Sequence, residues 1–93
     1  MAGWMIGVMV ELPGEPRPVR HYFAVGHLDR AKAEWTAIDA ALLIGPVAAS
    51  PSAGYEPVHV VAALTPHMVR MMALKPVEVR PLGPKYPRRW IAV

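Results

Sequence analysis

The sequence predicts a single α+β domain, a two-layer sandwich in which both helices lie on one face of a mixed, four- to five-stranded sheet. Three observations support this prediction. One stretch repeats its apolar residues with the period of a helix, several shorter stretches have the patterns of strands, and turn-forming Pro and Gly residues separate them. The chain of 93 residues has the length of one domain. The predicted order is β-β-α-β-α-β, with 1–87 as the core and 88–93 as either a further edge strand or a tail.

The first two strands are predicted at Trp4–Leu12 and Val19–Val25. Both faces of the first strand are largely apolar, so it belongs in the interior of a sheet that is covered on both sides. The Pro- and Gly-rich turn between the strands predicts an antiparallel hairpin. If the helix covers the face of Trp4, a second subunit is the simplest cover for the opposite face, which carries Met5 and Met9.

The helix predicted at Leu28–Ile44 is the element around which the rest of the chain is organised. Asp29 is its expected N-cap, and Gly45-Pro46 ends it. Its apolar stripe predicts that Trp35 is buried against the sheet, so that truncation of Trp35 to Ala costs about 3–5 kcal/mol. The residues of the stripe recur at steps of three and four: Leu28, Ala31, Trp35, Ile38 and Leu42.

The second half of the chain begins with Gly45–Pro57, a loop rich in Pro, Ser and Gly. The continuous apolar run Val58–Leu64 is typical of a buried strand that pairs in parallel, which makes the sheet mixed. Thr65 then caps a short helix at Pro66–Leu74, and a fourth strand follows at Val77–Arg80. Two right-handed strand–helix–strand units that share their middle strand place both helices on the same face.

Composition favours a self-associating protein in a reducing compartment. Apolar residues make up 54% of the chain, above the usual value of about 45–50%, and surplus apolar surface commonly becomes a subunit interface. Cysteine is absent, which excludes disulfides and thiolate chemistry and favours a cytoplasmic location. The apolar start is too short for a membrane span and lacks the charge of a signal peptide, so no membrane association is expected.

The basic C-terminal part is a candidate for binding nucleic acid or another anion. Residues 1–65 carry four basic and six acidic side chains, a net charge of −2, whereas residues 66–93 carry six basic and one acidic, a net charge of +5. Cations interleaved with aromatic residues can neutralise phosphates and stack on unpaired bases. The same side chains would equally suit a solvated tail that guards an edge strand. The candidate residues are Lys85, Tyr86, Arg88, Arg89 and Trp90.

The sequence contains no catalytic, metal-binding or nucleotide-binding motif. The four histidines lack the short spacings of a chelating pair, and His21 and His59 would meet only if strand register and face agreed. Asp39, at the edge of the apolar stripe, is either a carboxylate in a pocket or a flanking charge in water. We therefore predict no catalytic residue, no metal and no cofactor.

The favoured interpretation is a non-enzymatic binding and oligomerisation domain that self-associates through an open apolar sheet face, with Met5 and Met9 as contact residues. The alternative is a nucleic-acid-associated protein that uses the basic aromatic segment and whose binding weakens steeply with salt. The least favoured interpretation is a small-molecule enzyme with a site beside the Gly45–Pro57 loop that uses His59 or Asp39.

Overall fold

The computed structural model describes residues 3–48 and 57–88 of the chain. The α+β class and the predicted order of elements are confirmed. The predicted fifth strand lies outside the described residues, as does most of the predicted 45–57 loop. The elements are β1 (Gly3–Val10), β2 (Val19–Val25), α1 (Arg30–Leu42), β3 (Val58–Leu64), α2 (Pro66–Met71) and β4 (Val79–Gly83).

The four described strands form one sheet in the order β3-β1-β2-β4, and every neighbouring pair is antiparallel. The predicted hairpin of β1 and β2 is confirmed, but the prediction of a mixed sheet is wrong. The crossover through α1 returns β3 in the same direction as β2, as a strand–helix–strand unit does. However, β1 lies between them and runs the opposite way, so the apolar strand β3 has an antiparallel neighbour.

Helix α1 covers one face of the sheet with its alanines. Asp29 is the N-cap, as predicted, and its Oδ1 accepts hydrogen bonds from the backbone N–H groups of Ala31 and Lys32 at 2.8 and 3.2 Å. The buried positions repeat every four residues, which places them on one side of the helix. These positions are Ala33, Ala37 and Ala41, and they pack with Ile6, Val8, Val10, Phe23 and Val25 of the sheet.

The predicted orientation of this helix is therefore wrong. Trp35 is 68% exposed, Leu28 is 74% exposed and Leu42 is 55% exposed. The helix has two apolar faces, and the strands already supply the bulky side chains of the core. The face with small residues lets the helix approach such a sheet more closely, so it is the alanine face that is buried. The large cost predicted for truncation of Trp35 does not hold for a side chain that faces water.

Helix α2 contributes to a cluster on the opposite face of the sheet, so the prediction that both helices lie on one face is also wrong. Successive residues of a strand point to opposite faces, and Met5 therefore faces away from its neighbour Ile6, which contacts α1. Thr65 caps α2 as predicted, its Oγ1 accepting from the backbone N–H of Met68 at 3.1 Å. The second cluster comprises Met5, Tyr22, Ala24, Leu64, Val69, Met72 and Leu74.

Candidate functional site

The residues predicted to mediate self-association, Met5 and Met9, are buried inside the protomer. Met5 has no exposed surface and belongs to the cluster beneath α2, and Met9 is 5% exposed. The backbone of Met9 is also engaged, since its N–H donates to the carbonyl of Pro57 and its carbonyl accepts from the N–H of Ala48. These two residues offer no surface to a neighbouring molecule. The apolar sheet face that the sequence predicted to be open is covered here.

Exposed apolar side chains lie instead on the outer side of α1 and just beyond its two ends. We define the α1 ridge as Leu28, Trp35, Leu42 and Leu43, whose exposed fractions are 74%, 68%, 55% and 90%. Trp35 and Leu42 are seven residues apart, two helical turns and about 10.5 Å along the axis. A surface helix normally turns polar side chains to water. Large exposed apolar patches mark interaction sites on soluble domains, which makes the ridge the leading candidate site.

Two charges of opposite sign flank the ridge on the same side. At 100° per residue, Lys32 and Asp39 lie about 60° and 40° from Trp35 around the helix axis, whereas Ala31 and Ile38 lie about 40° and 60° away on the other side. Both charged residues are exposed, and neither forms an ion pair within residues 3–48 and 57–88. Asp39 is therefore a flanking charge in water, not a carboxylate in a pocket.

A shallow apolar pocket of about 410 Å³ adjoins the ridge at the N-terminal end of α1. Leu28 belongs both to the ridge and to the pocket wall. Val77, which also lines the pocket, is 64% exposed and has a φ of 63°, a backbone conformation that costs a β-branched residue about 1–3 kcal/mol. Strain of this kind is concentrated at binding sites. The pocket is lined by Gly26, His27, Leu28, Pro76 and Val77.

The basic aromatic segment forms a second, smaller cluster. Lys85, Tyr86 and Arg88 are exposed beyond β4, while Arg89 and Trp90 lie outside the described residues. The ring of Tyr86 packs edge-on against that of Tyr22, with centroids 5.7 Å apart, and the guanidinium of Arg20 lies 6.0 Å from the Tyr22 centroid. The sequence pattern did not indicate that Arg20 and Tyr22 belong to this cluster. The signal that joins them to Tyr86 is sheet register, which pairs Tyr22 with Gly83 at the end of β4.

The polar residues considered for catalysis are not brought together. His21 pairs with Val8 and His59 pairs with Gly7, so the two histidines lie on opposite faces and are separated by β1. His59 and Asp39 are both exposed. Among the described residues, no group of three histidine, aspartate or glutamate side chains is arranged to hold a metal ion.

Comparison of the chain with protein-family profiles, with curated proteins and with solved structures finds no match of any of the three kinds. Neither α1 nor α2, the helices of the described ranges, has the length and apolar character needed to cross a bilayer. Function is therefore inferred from the geometry of the ridge, the pocket and the basic cluster.

Proposed function

We propose that this chain is a binding domain that self-associates, and that the α1 ridge is the surface through which it does so. The observation that carries the proposal is the orientation of α1, which buries its alanines and turns Trp35 and Leu42 to water, with Leu28 exposed just before the helix begins. The sequence also predicts self-association, but through a sheet face; we assign it to the exposed side of the helix instead. The cysteine-free composition supports a reducing, cytoplasmic setting.

The expected strength of this association is modest. A tryptophan buries about 150–250 Å², so covering the exposed 68% of Trp35 contributes about 3 kcal/mol at roughly 25 cal/mol per Å². Each leucine of the ridge adds about 1–2.5 kcal/mol. Association costs at least about 4 kcal/mol in lost translational and rotational freedom. Ordering of side chains and desolvation of polar groups add to this cost, so we expect a weak dimer with a Kd of about 10–1000 μM.

Sedimentation equilibrium over about 5–1000 μM protein tests the proposal directly. The wild-type mass should rise from that of one chain toward that of two, whereas Trp35→Ser should remain at one chain. Met71→Ser is the matched control, because Met71 is 62% exposed on α2 and lies outside the ridge. It should associate like the wild type. A wild-type chain that stays monomeric at the highest concentration would contradict the proposal.

A second candidate function is the binding of single-stranded nucleic acid by the basic aromatic cluster. It is supported by the half-exposed ring of Tyr86, which is held against Tyr22 and flanked by the exposed Lys85 and Arg88. Stacking of a base on an aromatic ring contributes about 1–3 kcal/mol. Fluorescence anisotropy of a labelled oligonucleotide should show binding that weakens with salt and that Tyr86→Ala reduces about tenfold. Absence of binding at low ionic strength would exclude this function.

A further inference from the structure

We infer that two copies of the chain pair through antiparallel α1 helices, with a two-fold axis passing beside Trp35. This inference rests on the proposed function and adds to it the partner, the orientation and the register. It is carried by the charges that flank the α1 ridge and by the pocket at its N-terminal end. Both features acquire a partner when a second copy is placed with its helix reversed.

Helix geometry fixes where the two flanking charges lie relative to Trp35. Lys32 lies about 4.5 Å before Trp35 along the axis, and Asp39 lies about 6 Å after it, on the same side of the ridge. A two-fold axis at Trp35 reverses the direction of the partner helix and leaves each flank facing the same flank. Lys32 then lies within about 1.5 Å, along the axis, of the level of the partner's Asp39, and the reciprocal pair forms as well. On the other flank, the small Ala31 meets the bulkier Ile38 of the partner subunit.

A parallel pair, whose two-fold axis runs along the helices, would set each flank against the opposite flank of the partner. Lys32 and Asp39 would then face the partner's Ala31 and Ile38, and neither charge would gain an opposite charge. The antiparallel pair gives both charges a partner, so the charge pattern of the ridge favours that orientation.

The same two charges oppose the stability of the isolated helix. A lysine in the first turn and an aspartate near the last turn are both placed against the helix macrodipole, and α1 has no acidic residue in its first turn and no basic residue in its last. Reversing either charge would suit the helix better. Their arrangement is explained by a partner helix that runs the other way, since that partner supplies an opposite charge to each.

The pocket receives the far end of the partner's ridge. Leu28 lies just before the N-cap Asp29 and lines the pocket, and Leu42 is the last residue of α1, so the reversed helix brings the partner's Leu42 to the end of α1 where Leu28 lies. The next residue, Leu43, is 90% exposed, and the reversed helix carries it toward the apolar space bounded by Pro76 and Val77. The cavity of about 410 Å³ is large enough for leucine side chains. The strained Val77 thus has a contact that its own protomer does not supply.

Charge reversal tests the orientation by sedimentation equilibrium. Lys32→Glu and Asp39→Lys should each weaken self-association about tenfold, because two attractive pairs become repulsive. An equimolar mixture of the two variants should form a heterodimer with about wild-type affinity, and the double variant should recover the homodimer.

Two controls accompany the charge variants. Both substitutions agree with the helix macrodipole, so circular dichroism should show folded proteins. Arg30→Glu is the second control, because Arg30 is exposed but lies about 140° around the helix axis from Trp35, away from the ridge, and this variant should keep an affinity within about twofold of the wild type.

These measurements separate the antiparallel pairing from the proposed function. If the wild type and Met71→Ser dimerise but neither charge variant weakens the dimer, the antiparallel pairing is wrong and the proposed function stands. If the wild type is monomeric at all concentrations, both the pairing and the proposed function are wrong.

The pocket has its own test. Leu43→Ser and Val77→Asn should each weaken the dimer, and their double variant should lose less affinity than the two single losses combined, because both remove the same contact. Asparagine tolerates a positive φ, so Val77→Asn keeps the protomer folded. Independent losses would show that the partner's Leu43 is not in the pocket.

Discussion

At the scale of single residues, Glu78 is a side chain whose charged form the fold stabilises. One carboxylate oxygen accepts from the backbone N–H of Lys75 at 2.8 Å, and the other accepts from the Arg80 guanidinium at 2.7 Å. Both interactions favour the ionised form, the backbone hydrogen bond most strongly, and they lower the pKa of Glu78 below its ordinary value. Arg80 also donates to the carbonyl of Met72. Glu78 and Arg80 thereby fix the segment that leads from α2 to β4.

This arrangement predicts a specific loss of stability in acid. Because the pKa of Glu78 is lower in the folded than in the unfolded state, its contribution is present above the unfolded glutamate value of about 4.3 and is lost as the pH falls through the folded value. Glu78→Gln should remove this part of the pH dependence. Urea unfolding of both proteins from about pH 7 to about pH 3 measures it. The same acid slope in both proteins would show that Glu78 is not its source.

Residue-scale features were predictable where their cause is local. Asp29 and Thr65 cap their helices as the sequence indicates, because a cap needs only a side-chain oxygen and the amides two or three residues ahead. The positive φ of Val77 has no such local cause. It arises where the chain turns back to the end of β2, with the N–H of Val77 donating to the carbonyl of Gly26. No sequence pattern places a β-branched residue in that conformation.

At the scale of elements, the sequence predicts where α1 lies but not which side of it is buried. The helix presents a stripe of large apolar residues and, on its other side, a stripe of alanines. Hydrophobicity alone favours the stripe that contains Trp35. The alanine stripe is buried instead, because Phe23 and Ile6 fill the interface and leave room only for small side chains on the helix.

The buried alanine stripe predicts which substitutions destabilise the protein. Ala37→Leu inserts a bulky side chain between α1 and the sheet and should lower the free energy of unfolding by about 1–3 kcal/mol. Ala31→Leu, on the exposed side of the same helix, should change it by less than about 0.5 kcal/mol. Urea denaturation compares the two. Equal effects would mean that the helix is rotated from the orientation seen here.

At the scale of the whole molecule, the apolar excess is distributed differently from the prediction. The sequence indicates more apolar surface than one core needs and assigns the excess to an open sheet face. The sheet instead carries a buried cluster on each face, one with α1 and one with α2. This placement depends on the path of the chain from β3 to β4 across the sheet, a long-range property that periodicity does not encode. Within residues 3–48 and 57–88, part of the excess that remains is the α1 ridge.

Self-association through the ridge couples stability to concentration, which gives a whole-molecule test. A partner that binds only the folded state raises the thermal midpoint as its concentration rises. For a domain of this size, about 1 kcal/mol shifts the midpoint by about 4–8 °C, so a weak dimer should gain a few degrees over a hundredfold rise in protein concentration. Met71→Ser should show the same gain, and Trp35→Ser should show none.

The sign of the shift separates self-association from aggregation, because aggregation of the unfolded chain depletes that state and lowers the midpoint as concentration rises. A wild-type midpoint that does not rise, or a Trp35→Ser midpoint that rises equally, would show that the ridge is not the surface on which the copies meet.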